Sequence, residues 1–430
     1  MRPIIVSTLA LVAILAAEPK LQAASVVSQT AAARHGLKRA WFAQIGAPQS
    51  TGPISHATLD RGTLLVQTER NLLTALDPET GRILWSSQVG PPHHLSTEPA
   101  ANHDYVTVVN GSILYVLDRF KGGILWQRQI GGSPGAGPGI TDTHVFVPLV
   151  TGLVEGFDLA VGPKQSPWIY KSAGRVLTSP VGTARSVCWT TEKGYLYAAD
   201  PNGKGILYRL ETRDTIHSRP ASWSPRLFAC STDGFVYAVN EAKGKIEWRF
   251  TVGDAIYASP VAIEDKVFII SEREGMFCLD AKIGTQAWFA PRVVQFLAVS
   301  PTRVYAADRV GRLLVLDAQT GARLGAMPLD PGDLKVVNME TDRLYLANQS
   351  GVVQCLHESA LASPVTYTPP PPEEPEDKKA PKMGGEKKEK PAAVRDADEA
   401  PEEPADDAAG AMDQDKPEAP AEGDADDPFK

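Results

Sequence analysis

The side chains that could act as nucleophiles, bases or metal ligands in this 430-residue chain are few and scattered. Its four cysteines, Cys188, Cys230, Cys278 and Cys355, form no CxxC or CxxCH pattern, so the spacing spells out neither a thiolate metal site nor a redox pair. An oxidising compartment would permit disulfides, but no framework is defined, and small buried thiols are the expectation. The histidines supply no HExxH. His93 and His94 are the one adjacent pair, and His217 occupies a comparable stretch further along, as do Arg175, Arg219, Asp254 and Tyr257. If these residues converge they form a polar, mixed-charge funnel suited to binding; the plainer alternative is a set of solvated loops. P-loop and basic runs are missing from the first 365 residues, and the one G-x-S-x-G string, Gly131 to Gly135, runs on into Ala136, Gly137, Pro138 and Gly139 rather than a helix-forming segment and so makes no nucleophile elbow, which argues against phosphoryl transfer, serine hydrolysis and nucleic-acid binding.

What must position those residues is a repeat. A segment reading Ala75, Leu76, Asp77, Pro78, Glu79, Thr80, Gly81, Arg82, Ile83, Leu84, Trp85 recurs, with its Asp position at Asp77, Asp118, Asp158, Asp200, Asn240, Asp280, Asp317 and His357. The intervals are 41, 40, 42, 40, 40, 37 and 40 residues. A period this regular marks units that bury their apolar faces only against their neighbours. Within a unit the apolar period is two, as in Phe235, Val236, Tyr237, Ala238, Val239, which reads as strands. The Asp-x-x-x-Gly segment reads as a hairpin turn, with Asp capping backbone N–H groups and Gly81, Gly122, Gly244, Gly284 and Gly321 free to take positive φ. About four strands per unit make one propeller blade.

Trp85, Trp126, Trp248 and Trp288 stand eight residues after the Asp position; Trp168 comes two residues late, Tyr208 replaces Trp in the fourth unit and Gly325 in the seventh. An indole at that point is expected to wedge between neighbouring blades. Pro53, Pro99, Pro138, Pro180, Pro220 and Pro260 open successive units, where a residue that cannot donate to a ladder marks the strand lining a central channel. The eighth unit has strand-like segments at 334–338, 343–348 and 352–357 and no outer strand after them. Residues 40–46, around Trp41, resemble residues 85–90 and supply it. Closing the ring in this way removes its exposed edges. The expected fold is an all-β, eight-bladed propeller over 38–360, with seven blades the alternative.

Residues 1–24 combine Arg2, an apolar run over 3–17 and small residues at Ala23 and Ala24, the makings of a secretory signal cleaved near Ala23 or Ala24, with an uncleaved anchor as the alternative. Residues 366–430 carry 20 acids and 9 bases, net −11, against −8 for the whole chain, so the rest is +3. This Pro, Glu, Asp, Lys and Ala-rich tail cannot bury enough apolar surface to offset its ordering entropy and is expected to be disordered.

The pattern A-x-D-x-x-T-G-x-x-x-W, complete at Ala75, Asp77, Thr80, Gly81 and Trp85, resembles the tryptophan-docking repeat of pyrroloquinoline quinone (PQQ) propellers. That resemblance implies one of two functions. Quinoprotein dehydrogenases hold PQQ and calcium over the channel, and many carry a disulfide between adjacent cysteines. This chain has no adjacent cysteine pair and no long insertions. The chain is more similar to the propeller subunit of the outer-membrane β-barrel assembly machinery, a non-catalytic periplasmic scaffold, though no lipid-attachment cysteine is found near residue 24 and the acidic tail is an addition. The expectation is therefore a periplasmic or secreted monomer that binds a protein partner. It would have no catalytic residue, metal or cofactor, no nucleic acid, and no membrane span once the signal is removed. A PQQ-dependent dehydrogenase or a small-ligand-binding propeller is the alternative.

Overall fold

The computed structural model describes residues 26–46, 48–330 and 332–371; the expected signal and nearly all of the expected acidic tail lie outside them. Among the described residues there are eight four-stranded antiparallel sheets, each in the order innermost, second, third, outermost. Blade 1 is built from Ile54–Asp60, Thr63–Thr68, Leu72–Leu76 and Ile83–Gln88. Blades 2 to 7 follow at 100–129, 139–171, 181–211, 221–251, 261–291 and 293–327. Blade 8 takes Leu334–Lys335, Leu344–Ala347 and Val352–Glu358 from the end of the ring, and its outermost strand, Leu37–Gln44, from the beginning. Pairing runs from Leu37 against Glu358 to Gln44 against Val352, so both ends of the ring are fastened in one sheet.

The strand character follows from burial. Second and third strands pack on both faces and are largely buried, as in Thr63–Thr68 and His144–Pro148, where every residue is buried. Outermost strands such as Ile124–Gln129 and Ile246–Thr251 alternate between more and less exposed residues with period two, because one face meets solvent. The six prolines each directly precede an innermost strand, where the missing N–H costs no ladder bond.

The seams between blades explain the repeat. Each docking ring lies on the Asp turn of the next blade. Trp41 Nε1 donates to Pro78 O at 2.9 Å, Trp85 to Arg119 O at 2.6 Å, Trp126 to Leu159 O at 3.1 Å, Trp248 to Ala281 O at 3.1 Å and Trp288 to Ala318 O at 3.0 Å. In every case the acceptor is the residue after the Asp position, whose own carboxylate is occupied: Asp118 Oδ1, for one, accepts from the N–H groups of Phe120 and Lys121 at 2.8 Å. The turn glycine is fixed twice over. Gly122 sits at φ +68°, and a Cβ there would fall well inside van der Waals contact with the Trp85 ring; Gly81 under Trp41, Gly203 under Trp168, Gly244 under Tyr208, Gly284 under Trp248 and Gly321 under Trp288 repeat this. Trp168 reaches its glycine despite its late position because a short 3-10 turn, Gly162–Lys164, takes up the extra residues.

Tyr208 fills the indole's place without its hydrogen bond, since its hydroxyl is buried and has no partner. An unpartnered buried hydroxyl costs about 1–3 kcal/mol. Tyr208→Phe should therefore stabilise the protein by about 1 kcal/mol in urea denaturation, allowing for partial relaxation; a loss of stability would show that the hydroxyl is satisfied in solution.

The eighth seam breaks the rule. Gly325 stands where the indole should be, and the facing turn has His357 and Leu361 in place of Asp and Gly. Residues 26–36 fill the space instead, so ordered packing begins upstream of the expected boundary at 38. Val27 and Ala32 are buried with Leu297, Tyr305, Met327, Leu344 and Leu356, and the His35 ring lies over Gly325. Packing also extends beyond 360: Tyr367 is buried against Val261 and Val299 and donates its hydroxyl to Val299 O at 3.0 Å. All four cysteines are buried, unpaired thiols. Burial pushes Cys188 and Cys278 up to about 12, away from thiolate chemistry.

Candidate functional site

A propeller of this topology has two unlike faces. The turns joining first to second and third to outermost strands lie on one, the Asp-turn face; the crossovers between blades and the second-to-third turns lie on the other, the crossover face. All seven sequence-derived candidates fall in crossovers.

Several of them come together. Arg175, in the crossover from blade 3 to blade 4, grips Glu192 through Nε at 2.7 Å and Nη2 at 2.5 Å. Those bonds hold the Glu192 carboxyl below its ordinary range, with a smaller pull from His217 in the next crossover. The His217 ring lies 5.8 Å from that of Tyr257, one crossover further on. Asp254 accepts from Ser271 Oγ at 3.2 Å and from the Arg273 N–H at 3.1 Å, with the Arg273 side chain at 4.0 Å. Arg175, Glu192, His217 and Tyr257 thus run as a row over blades 4 to 6 and end at a notch.

The notch has a topological cause. Elsewhere the crossovers run from about six to eleven residues, whereas blades 6 and 7 are joined by Arg292 alone, between Gln286–Pro291 and Val293–Val299. With no loop to cover it, the rim opens into a cavity of about 520 Å³ lined by Tyr257, Ala258, Ile270, Ser271, Glu272, Val294 and Arg309. Tyr257 is 50%, Val294 36% and neighbouring Val310 69% exposed. Exposed apolar side chains in a concave site rimmed by charge suit a protein or peptide ligand. Glu192, Val294 and Arg309 were not singled out from sequence, yet the signal was present: the interval from Asp280 to Asp317 is 37 residues, the shortest of the seven.

The other candidates stand apart. His93 and His94 lie over blade 2, where the His94 carbonyl accepts from Asn71 Nδ2 at 2.8 Å and Asn110 Nδ2 at 3.0 Å; no described hydrogen bond, ion pair or ring contact joins them to the row. Arg219 has no described side-chain bond to the row: its N–H donates to Ser259 Oγ at 3.0 Å, and its charge is among those that favour the ionised form of Asp60 in blade 1.

Asp60 is the most perturbed carboxyl of the channel wall. It accepts from the Ala101 N–H at 2.7 Å, yet burial pushes it up to about 6, helped by Glu340 and opposed by the Ala101 bond, Arg219 and Arg61. An unfolded aspartate titrates near 3.9, so the folded state binds the extra proton between about pH 4 and 6. Its stabilisation is complete below that window and is lost as pH rises through 6. Asp60→Asn should therefore raise stability at pH 8 by about 2–3 kcal/mol and change it little at pH 4, compared by urea denaturation at both values.

The remaining indoles do not face the mouth as a stacking platform would. Trp189 is fully buried, donating to Ser172 Oγ at 3.2 Å and stacking on Tyr197 at 5.6 Å; Trp223 packs between the cores of blades 5 to 7. Among the described residues no three His, Cys, Asp or Glu side chains are grouped to hold a metal ion.

Comparison with known proteins gives a consistent result for fold. The family model described as "Outer membrane protein assembly factor BamB" matches residues 24–147 and 192–358, skipping the irregular stretch around the late Trp168. The crystal structure of BamB from Moraxella catarrhalis superposes with a TM-score of 0.60 at 17% identity, over 75% of this chain and 97% of that one. A computationally designed protein, Ika8, superposes with a TM-score of 0.61 at 13% identity, over 73% and 98% respectively. No curated protein sequence matches the chain.

Proposed function

Because the chain belongs to the outer membrane protein assembly factor BamB family, we propose that it is a non-catalytic extracytoplasmic scaffold that binds a protein partner through its crossover face, in the assembly of envelope or outer-membrane proteins. The observation that carries this reading is the notch between blades 6 and 7, where the rim of the ring lacks a loop and Tyr257, Val294 and Val310 stand exposed. The Arg175, Glu192 and His217 row leads up to it and gives the partner polar contacts around an apolar anchor. Aromatic and thiol groups that an enzyme of this fold could use are committed to seams and blade cores, which favours recognition over quinone chemistry. The scaffold acts in this reading as a periplasmic or secreted monomer.

The test is a combined variant, Arg175→Ala, His217→Ala, Tyr257→Ser and Val294→Ser. Surface substitutions of this kind each change stability by roughly 0.5 kcal/mol or less, so the melting transition should stay close to that of the parent. Photocrosslinking from position 257 in cells should trap one envelope protein, and the variant should bind that purified protein at least about tenfold more weakly, a loss of roughly 1.4 kcal/mol. Undiminished binding would remove the notch from the function. Dye-linked oxidation of an alcohol or sugar that depends on added PQQ and calcium would replace the scaffold with an enzyme.

A further inference from the structure

Seven seams of the ring are locked by an aromatic ring laid on a glycine. The eighth, between blades 7 and 8, has lost both halves of that lock at once, with Gly325 in place of the ring and Leu361 in place of the glycine. What occupies it has the contacts of a bound peptide. Gln354, fully buried in the third strand of blade 8, clasps the Val27 backbone from both sides: Val27 N–H donates to Gln354 Oε1 at 3.2 Å, and Gln354 Nε2 donates to Val27 O at 3.1 Å. A one-and-a-half-turn helix, Gln29–Arg34, sets Ala32 against the core at no exposure. At the far end Arg303 Nη1 donates to His35 O at 2.8 Å, and Ser359 donates both N–H and Oγ to Gly36 O at 2.9 Å. The His35 imidazole fills the space beside Gly325 that a side chain at that position would have taken.

A buried amide that satisfies backbone rather than a side chain recognises a peptide main chain as such. We propose that the seam between blades 7 and 8 is a peptide-binding site, filled in this chain by its own residues 26–36 in place of the ring-and-glycine lock. The ligand class is a short peptide with a β-branched residue at the Gln354 clasp, a small residue on the helical turn and an imidazole before a glycine. Because the occupant is tethered directly to the strand Leu37–Gln44 of blade 8, its effective concentration at the seam is high. The same peptide supplied by a separate molecule binds once the tethered one is displaced.

The experiment places Val27→Asp and Ala32→Asp in the full chain and follows backbone amide exchange. Amides of Arg303–Asp308, Leu344–Ala347 and Val352–Glu358 should exchange at least about tenfold faster than in the parent, with those of Thr63–Thr68 and Tyr105–Asn110 at the seam of blades 1 and 2 unchanged. A synthetic peptide of residues 26–36 should bind this variant one to one and reverse the change, while leaving the parent untouched. Uniform acceleration in all blades, no acceleration, or failure of the peptide to reverse it overturns the proposal. Should the double aspartate variant not fold, Gly325→Trp with Leu361→Gly in the full chain decides instead. A rebuilt lock must evict His35, so the amides of 32–36 should lose protection about tenfold while the seam strands keep theirs; unchanged protection of 32–36 would show that the segment does not stand in for the lock.

Discussion

Trp85→Ala should lower the unfolding free energy by about 3–5 kcal/mol, the range for truncating a large buried aromatic. The ring is 7% exposed, packs against Leu65, Leu73, Val89, Val106 and Leu117 from two blades, and donates to Arg119 O. Its loss opens a cavity in a seam whose two walls are separate sheets, so neither can collapse onto the other without disturbing its own ladder. Gly122→Ala should be comparably severe, about 2–4 kcal/mol, because the added Cβ enters the same ring and the residue sits at φ +68°. The two changes should not add. In the Trp85→Ala background the clash disappears and only the backbone strain remains, so the coupling energy should be about 1–3 kcal/mol in urea denaturation of all four proteins. Additivity would mean that Gly122 is kept for its conformation alone and that the indole does not rest on it.

That coupling also shows why so much of the fold could be read from the chain. The Asp, Gly and Trp of the repeat are one physical unit spread over two blades: the Asp closes the turn, the Gly leaves room, and the ring of the preceding blade lies down on it. Their fixed spacing therefore announces both the blade and its neighbour. Ring closure through residues 40–46 was legible for the same reason, since Trp41 keeps the pattern and docks on Gly81. Where the pattern lapses, the reading falters. Gly325 looks like a simple gap, because nothing in residues 26–36 resembles an indole strand, and their role depends on Gln354, more than 300 residues away. The site was harder still. Positions before a channel strand share a face of the ring, so Arg175, His217 and Tyr257 could be grouped; but His93 and His94 share that face on the far side of it, and the described bond of Arg219, from its N–H to Ser259 Oγ, does not join the row. Direction within a crossover is set by loop contacts that carry no period. The notch itself was recorded only as a shortened interval, a length whose meaning needs the neighbouring crossovers for comparison.

Arg343→Ala should destabilise the ring by about 3–5 kcal/mol, and by more at pH 8 than at pH 4. The guanidinium is 2% exposed and joins three parts of the closure. It meets Glu79 on the Asp turn of blade 1 at 3.1 Å, Asp342 beside it at 3.2 Å, and the carbonyls of Leu361 and Ala362 after the last strand at 3.3 and 3.1 Å. Asp342 in turn accepts from Val365 N–H at 2.9 Å, so one cation fastens blade 8, blade 1 and the segment leading to Tyr367. Removing it leaves a carboxylate with no solvent exposure facing no positive partner, which is where most of the cost arises. Burial already pushes the Asp342 carboxyl up while Arg343 pulls it down; without the arginine it rises further. A carboxyl whose folded pKa lies above its unfolded one contributes stability at low pH and forfeits it as pH rises. The deficit of the variant should therefore shrink as the solution is acidified and Asp342 takes up a proton. Arg343→Lys should recover only part of the loss, because an ammonium has three donors where the guanidinium spans two carboxylates and two carbonyls in one plane. Denaturation of parent, Ala and Lys proteins at pH 4 and 8 separates the outcomes: a deficit independent of pH would assign the cost to lost packing and clear Asp342 of any part in it.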